Sequence, residues 1–201
     1  MFRISLRPQP GLLRILAHLS ALVPLILISW RIWYEGWPFD PVATFTTVTG
    51  DAALQLLIAS LAVTPLVRFG FPKVLIATRR PLGLYAFSYA LAHLLVYMWV
   101  DYNWNWQLMS QNLLTKRYLI VGLSAFICML PLALTSTKNM QKRLGIWWKR
   151  IHRFNYVIAI LAVIHFLWLV KSDIREPLIY AIILIILLGL RIYWVVRQKS
   201  Q

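Results

Sequence analysis

The stretch WKRIHRFNYVIAILAVIHFLWLV, residues 148–170, is the most informative part of this chain of 201 residues. It is strongly apolar, yet it contains two histidines, His152 and His165. Their separation of thirteen positions corresponds to a rise of about 20 Å in an α-helix, which would place the two imidazoles near opposite faces of one bilayer. A histidine inside hydrocarbon is costly and usually has a partner or a function. The stretch therefore predicts a membrane helix with a functional histidine toward each end.

The composition is that of an integral membrane protein. Hydrophobic residues make up 60% of the chain and charged residues only 13%, whereas soluble domains are about half apolar and about a quarter charged. Six apolar segments each approach the ~20 residues that a helix needs to cross the bilayer core. They are residues 12–30, 47–69, 81–100, 118–134, 151–170 and 178–196. We predict an all-α bundle of six transmembrane helices, forming a single domain over residues 1–201.

The net charge of +15 follows from topology and does not indicate a nucleic-acid partner. With six spans, 16 of the 21 Lys and Arg residues fall on the side that carries both termini. All six acidic residues fall on the opposite side, with the other five bases. The positive-inside rule therefore places both termini in the cytoplasm, where the basic residues meet anionic lipid headgroups.

The third predicted span contains a further histidine, His93, at a depth that matches His165. Both helices run outward, and the two residues lie roughly 18 and 21 Å from the cytoplasmic starts of their helices. Two imidazoles from different helices can hold one haem iron from both sides. The alternative is that each histidine bonds a neighbouring helix. The matched depth favours ligation, so the sequence predicts a membrane cytochrome with His93 and His165 as haem-iron ligands.

His152 is a candidate ligand for a second haem, at the cytoplasmic boundary. The matching place on the third span holds Arg79 or Arg80, and arginine cannot give up its proton to ligate iron. His18, in the first span, is either a second ligand or a histidine bonded within the bundle. On an ideal helix His152 and His165 would point about 140° apart. They face one side only if the helix bends or begins after His152.

Four arginines form another candidate site at the cytoplasmic end. They are Arg79 and Arg80, at the start of the third span, and Arg150 and Arg153, beside His152. Arginine clusters bind phosphate bidentately, so a phosphorylated cofactor is one ligand that fits them. Contact with lipid headgroups is the other explanation.

Other chemistry is not indicated. The sequence has no zinc-ligand spacing, no phosphate-binding glycine loop and no Ser/His/Asp set. It shows no internal repeat at a fixed period. We also expect no acidic residue deep in any span, which argues against a proton- or cation-coupled transporter.

Three groups of residues resemble the MsrQ (YedZ) family, part of the wider ferric-reductase-like transmembrane group. They are LAVTPL at 61–66, RRPLGLY at 79–85 leading to His93, and WKRIHRFNY at 148–156 leading to HFLWLVK at 165–171. The resemblance covers nearly the whole chain in length, number of spans and their order. It implies a multi-pass protein of the bacterial inner membrane that binds haem b, in one or two copies, and FMN.

The same resemblance implies partners and functional residues. Electrons would pass from the quinone pool to MsrP, a periplasmic, molybdenum-containing methionine sulfoxide reductase that forms a heterodimer with the membrane subunit. The haem-ligand role is carried over onto His93, His152 and His165. The implied FMN makes the four cytoplasmic arginines candidates for its phosphate.

Two alternatives remain open. A stand-alone ferric or quinone reductase could use the same haem core, and would turn over without any periplasmic protein. A haem-binding structural subunit would carry no electrons, and need not reoxidise after reduction with dithionite. In the main interpretation the chain is the electron-transfer subunit and its partner is the catalytic one.

The distribution of basic residues gives a testable topology. We expect a cytoplasmic reporter fused after Gln201 to be active, and alkaline phosphatase at the same position to be inactive, because both termini lie on the side with 16 of the 21 bases. Measured phosphatase activity at Gln201 would contradict the orientation.

Overall fold

The computed structural model describes residues 9–199, and within that range it contains helices and no strand. The helices are α1 (Pro10–Glu35), α2 (Pro41–Arg68), α3 (Arg79–Leu95), α4 (Trp106–Thr115), α5 (Arg117–Leu134), α6 (Lys138–Leu144), α7 (Ile146–Ile151), α8 (Phe154–Leu169) and α9 (Arg175–Lys199). A 3₁₀ turn, Lys73–Thr78, precedes α3, and a π-helical turn, Val96–Asp101, extends it. Arg3 and Arg7, which belong to the predicted charge distribution, lie outside the described residues.

Six stretches of helix are long and apolar enough to cross a membrane, which confirms the predicted all-α, six-span fold. They are Gly11–Glu35, Pro41–Arg68, Lys73–Asp101, Arg117–Leu134, Ile146–Leu169 and Arg175–Gln198. Six crossings return the chain to the end of the bundle from which it starts. We call this the terminal end, and the opposite one the far end.

Capping chemistry sets several helix limits that hydropathy does not. The Asp40 carboxylate accepts a hydrogen bond from the Ala43 N–H at 2.9 Å, and Pro41 occupies the first position of α2. The second span therefore begins six residues earlier than the predicted residue 47. The Asn105 side chain caps α4 in the same way, through the Leu108 N–H at 3.0 Å.

The structure contains three short helices outside the predicted spans: α4, α6 and α7. The main helix of the fifth span, α8, begins at Phe154, three residues later than predicted, and the short helix α7 precedes it and ends at Ile151. His152 therefore lies at the junction, and the 140° separation expected on one ideal helix does not apply.

Two helix pairs have the most extensive packing in the bundle, α2 with α3 and α5 with α8. Hydrogen bonds fix other helices to them. The buried Tyr89 hydroxyl donates to the Ala21 carbonyl at 2.7 Å, which joins α3 to α1. The Ser60 hydroxyl donates to the Arg79 carbonyl at 3.0 Å, which joins α2 to the start of α3. The candidate site lies toward the far end, where α3 packs against α2 and α8 packs against α5.

Candidate functional site

Two imidazoles face each other between the two main helix pairs. The ring centres of His93, on α3, and His165, on α8, are 6.2 Å apart, and the ring planes are nearly perpendicular at 89°. The structure thus brings together the two histidines that the sequence paired by depth.

Each of these rings is oriented by a backbone carbonyl of the helix beside it. His93 Nδ1 lies 3.0 Å from the Thr46 carbonyl oxygen, and His165 Nδ1 lies 2.7 Å from that of Tyr118. A carbonyl oxygen only accepts, so each Nδ1 carries the proton and donates it. Each Nε2 is then left with a free lone pair, which is the usual arrangement of a metal-ligating histidine.

A glycine one helical turn after each carbonyl makes room for the ring. A Cβ built on Gly122 would lie 2.6 Å from Nδ1 and 2.8 Å from Cε1 of His165. A Cβ built on Gly50 would lie 3.1 Å from Nδ1 of His93. Any side chain at Gly122 would displace the imidazole, and one at Gly50 would crowd it.

The two halves of the site have the same spacing along the chain. Each histidine follows its carbonyl partner by 47 residues, and each glycine follows that partner by one turn. This correspondence is limited to three positions in each half and is not a repeat of whole sequence segments. Similarity of whole segments does not reveal it, because only a few positions are shared. The signal is a glycine in the second and fourth spans at matching distances before a histidine.

The separation of the rings fits a six-coordinate iron. Two metal–nitrogen bonds of about 2 Å, plus about 1 Å from each nitrogen to its ring centre, give about 6 Å between centres. Among the described residues, no group of three or more His, Cys, Asp and Glu side chains is placed to hold a metal. A metal at His93 and His165 would therefore need its other ligands from a macrocycle such as haem.

The histidine pair lines a cavity of about 580 Å³, within the usual range for ligand and cofactor pockets of ~300–1,000 Å³. Its deeper wall is apolar and includes Leu57, Met129 and Ile158. Toward the far end the wall gains polar side chains, among them Thr47, Tyr97, Trp106 and Ser110. An apolar macrocycle with polar substituents directed to the far end fits this gradient.

One acidic side chain lies on the wall of this cavity. Asp51 is partly buried and lines it beside Gly50, ten residues into α2. The expectation that no acid lies deep in a span is wrong for this residue. The second span begins at Pro41, not at residue 47, so Asp51 is further inside the helix than the hydropathy limits indicated.

His152 lies apart from the pair, at the junction of α7 and α8. Its ring stacks on Trp148 with centres 4.0 Å apart, and its Nδ1 lies 3.0 Å from the Trp148 carbonyl oxygen. Its Nε2 is buried and makes no hydrogen bond to the described residues. Arg79 lies within electrostatic range of it, and no second imidazole faces it among the described residues.

The remaining predicted residues are spread over the surface of the terminal half. His18 is exposed on α1, where its Nδ1 lies 3.1 Å from the Tyr85 hydroxyl, and it does not line the cavity. Arg80, Arg150 and Arg153 are exposed. Arg150 lies over the Trp147 ring, 4.6 Å from its centre.

Arg79 instead lies within electrostatic range of Arg191, one of the 16 basic residues that the sequence analysis assigned only to the side carrying the termini. Arg191, on α9, donates to the Tyr156 hydroxyl and, at 2.8 Å, to the Leu61 carbonyl. The Nε atoms of Arg79 and Arg191 are buried without a hydrogen bond to the described residues, and the two side chains lie within electrostatic range. An arginine in an otherwise apolar last span was the available signal.

Known proteins match this chain over most of its length. The family model for the ferric reductase like transmembrane component matches residues 15–163. The protein-methionine-sulfoxide reductase heme-binding subunit MsrQ of Xanthomonas campestris pv. campestris (strain 8004) is 44% identical over 182 residues, covering 88% of this chain and 84% of the relative. The subunit of the same name from Xanthomonas axonopodis pv. citri (strain 306) is 44% identical over 184 residues, with coverage of 89% and 84%. No solved structure gives a significant match.

The contact between Gly122 and His165 predicts a specific loss of haem. We expect Gly122→Ala to purify with much less haem than the parent, because the new methyl group would displace the imidazole from the Tyr118 carbonyl. Pyridine-haemochrome quantitation per mole of protein measures this. Alanine favours helix over glycine by about 1 kcal/mol, so a weakened helix is not the cause. Gly189→Ala is the matched control, since a Cβ there meets no atom within 4 Å. Equal haem in both variants would contradict the proposed packing.

Proposed function

Because this chain belongs to the ferric reductase like transmembrane family, and within it to the MsrQ haem-binding subunits, we propose that it is the electron-transfer subunit of a methionine sulfoxide reductase system. The observation that carries the proposal is the facing pair His93 and His165, at the separation that an axially ligated iron requires. The partner is the catalytic subunit MsrP, a periplasmic, molybdenum-containing reductase that would form a heterodimer with this chain and repair oxidised periplasmic proteins.

The residues of the cavity prepare a site for one haem b. Haem, when bound, supplies one-electron iron chemistry. The Thr46 and Tyr118 carbonyls accept hydrogen bonds from Nδ1 of His93 and His165, so Nε2 of each ring carries no proton. The two rings face each other across the cavity. The apolar deeper wall excludes water, which strengthens the effect of nearby charges. The family resemblance allows one or two haems. The described residues provide a pair of axial histidines for one haem, because no histidine faces His152.

The direction of electron flow follows from the predicted topology. The terminal end is the cytoplasmic side of a bacterial inner membrane, so the histidine pair lies in the periplasmic half. Electrons enter from the quinone pool or from a cytoplasmic flavin donor and leave at the far end to the reductase. The outer loops, together with α4, form the surface that this partner contacts.

FMN is the second cofactor of the proposal, and one part of the terminal end fits its phosphate. Arg79, Arg191 and His152 each have a buried nitrogen without a hydrogen bond to the described residues. A phosphate oxygen is the acceptor that such a set of nitrogens lacks. Of the four predicted arginines, Arg79 is the one that belongs to this set. Arg80, Arg150 and Arg153 lie at the surface around it.

The function is tested by partner-dependent oxidation of the haem. We expect dithionite-reduced protein to stay reduced under anaerobic conditions, and to reoxidise when MsrP and a methionine sulfoxide substrate are both added. His93→Ala and His165→Ala should each abolish the same low-spin absorbance, because losing either axial nitrogen ends six-coordination. Reoxidation by ferric citrate alone at the same rate would favour the stand-alone reductase. If the two variants lost different spectral components, His93 and His165 would not be ligands of the same haem.

The flavin proposal predicts a difference between two arginines. We expect Arg79→Ala to bind FMN about tenfold or more weakly, since a charge-assisted hydrogen bond is worth ~1.5–3 kcal/mol. Fluorescence of flavin released by denaturation measures its content. Arg150→Ala is the control, because that guanidinium lies over Trp147 at the surface. If Arg79→Ala protein retains the parental flavin content, Arg79 does not bind the FMN phosphate and contributes only to membrane topology.

A further inference from the structure

A pair of polar side chains faces lipid near the middle of the second span. Gln55 lies in the central turns of α2 and is exposed on the surface of the bundle. Its Nε2 donates to the Tyr180 hydroxyl, on α9, at 3.0 Å. Polar groups in a membrane span are costly, and they usually mark a functional site. A hydrogen bond of this kind can join two membrane helices, but this pair is also exposed on the bundle surface and has two carboxyl groups beside it.

Two carboxyl groups lie one helical turn nearer the far end than this pair. Asp51 precedes Gln55 by four residues, and Glu176 precedes Tyr180 by four, so each lies on the same helix face as its neighbour. Asp51 and Glu176 are within electrostatic range of each other, and Tyr180 is within range of both. Hydrogen-bonding groups and proton acceptors therefore adjoin each other along one seam, which we call the α2/α9 seam (Asp51, Gln55, Glu176 and Tyr180).

The α2/α9 seam adjoins the cavity of the histidine pair. Asp51 belongs to the seam and also lines the cavity. Phe166, which follows His165, lines the cavity as well, and its ring centre is 6.2 Å from that of Tyr180. One layer of side chains thus separates the lipid-facing pair from the cofactor space.

We propose that the α2/α9 seam is a quinol-oxidation site, open to the bilayer and serving the haem cavity; the inference rests on the proposed electron-transfer function. A quinol dissolves in lipid and presents two hydroxyl groups. The Gln55 side-chain carbonyl is free to accept a hydrogen bond from one of them. The Tyr180 hydroxyl, whose oxygen already accepts from Gln55, keeps its own proton to donate to a quinol or quinone oxygen.

The chemistry balances without any further reactant. Both quinol O–H bonds break, and the quinol is oxidised to the quinone with loss of two electrons and two protons. The two electrons would leave one at a time for the haem that His93 and His165 would hold. One quinol would therefore reduce two haem-loaded proteins, or one protein twice once its haem has passed the first electron to the reductase. The two protons go to the carboxylates of Asp51 and Glu176, which lie beside the pair and release them at the far end.

A second lipid-facing pair provides the matched control. His18 and Tyr85, on α1 and α3, are joined by a contact of 3.1 Å in the terminal half of the bundle. They resemble Gln55 and Tyr180 in chemistry and in exposure to lipid. Neither lines the cavity, so Tyr85→Phe removes a comparable hydroxyl from a place without access to the cofactor.

The test uses the full chain with its haem in lipid nanodiscs and decylubiquinol as the probe. Haem reduction is followed anaerobically by stopped-flow absorbance. We expect Tyr180→Phe and Gln55→Leu to slow reduction about tenfold, because each removes one hydrogen bond to the quinol. Haem content and reduction by dithionite should stay at parental values in both variants, and Tyr85→Phe should be reduced by quinol at the parental rate.

Three results would overturn the inference. The first is parental rates in both seam variants, and the second is slow reduction of Tyr85→Phe in their place. The third is that dithionite reduces the parent protein and decylubiquinol does not. That result would refute quinol as the electron donor without contradicting haem binding or electron transfer to the reductase. Protein that binds no haem would instead refute the proposed function itself.

Discussion

Two hydrogen bonds from imidazole Nδ1–H groups to backbone carbonyls determine the geometry of the candidate redox site. Each carbonyl belongs to a helix, where the residue four positions later normally covers it with a side chain. At Gly50 and Gly122 that side chain is missing, so His93 and His165 reach the Thr46 and Tyr118 carbonyls edge-on. These bonds fix the tautomer of each ring, with the proton on Nδ1 and the lone pair on Nε2, and the two ring centres lie 6.2 Å apart. The packing of α2 on α3 and of α5 on α8 holds both bonds in place.

The two ends of the bundle have different electrostatic characters. Around the histidine pair the wall is largely apolar, and among the residues that the structure describes Asp51 is the one acidic side chain that lines it. At the terminal end, Arg79 and Arg191 lie within electrostatic range of each other and add positive charge beside His152. An iron porphyrin suits the first environment and a phosphate group suits the second. The apolar cavity and the positively charged side chains thus lie toward opposite ends of the bundle.

Properties that depend on counting residues were predictable from the sequence. The six spans follow from hydropathy, and the matched heights of His93 and His165 follow from a constant rise per residue. Properties that depend on neighbouring helices were not. The carbonyl partners are backbone atoms, and the glycine one turn after each is their one trace in the sequence. Hydropathy also did not predict the short helix α7 or the junction at His152 that follows it. The helix start at Pro41 depends on the Asp40 cap, and it moved Asp51 from the predicted outer edge to the cavity wall.

The equal spacing in the two halves has an evolutionary consequence. The offset that carries Thr46, Gly50 and His93 onto Tyr118, Gly122 and His165 also carries Arg80 onto His152. A pseudo-twofold axis between the two helix pairs would relate these positions, as expected if one ancestral hairpin was duplicated and fused. Such an ancestor, assembled as a symmetric dimer, would have presented the same residue type twice at every level. The present chain keeps that symmetry where iron needs two identical ligands and has lost it at the terminal level, where one hairpin carries arginine and the other histidine. The two halves of the bundle thus match at the histidine pair and differ at the terminal end, where their electrostatic environments differ.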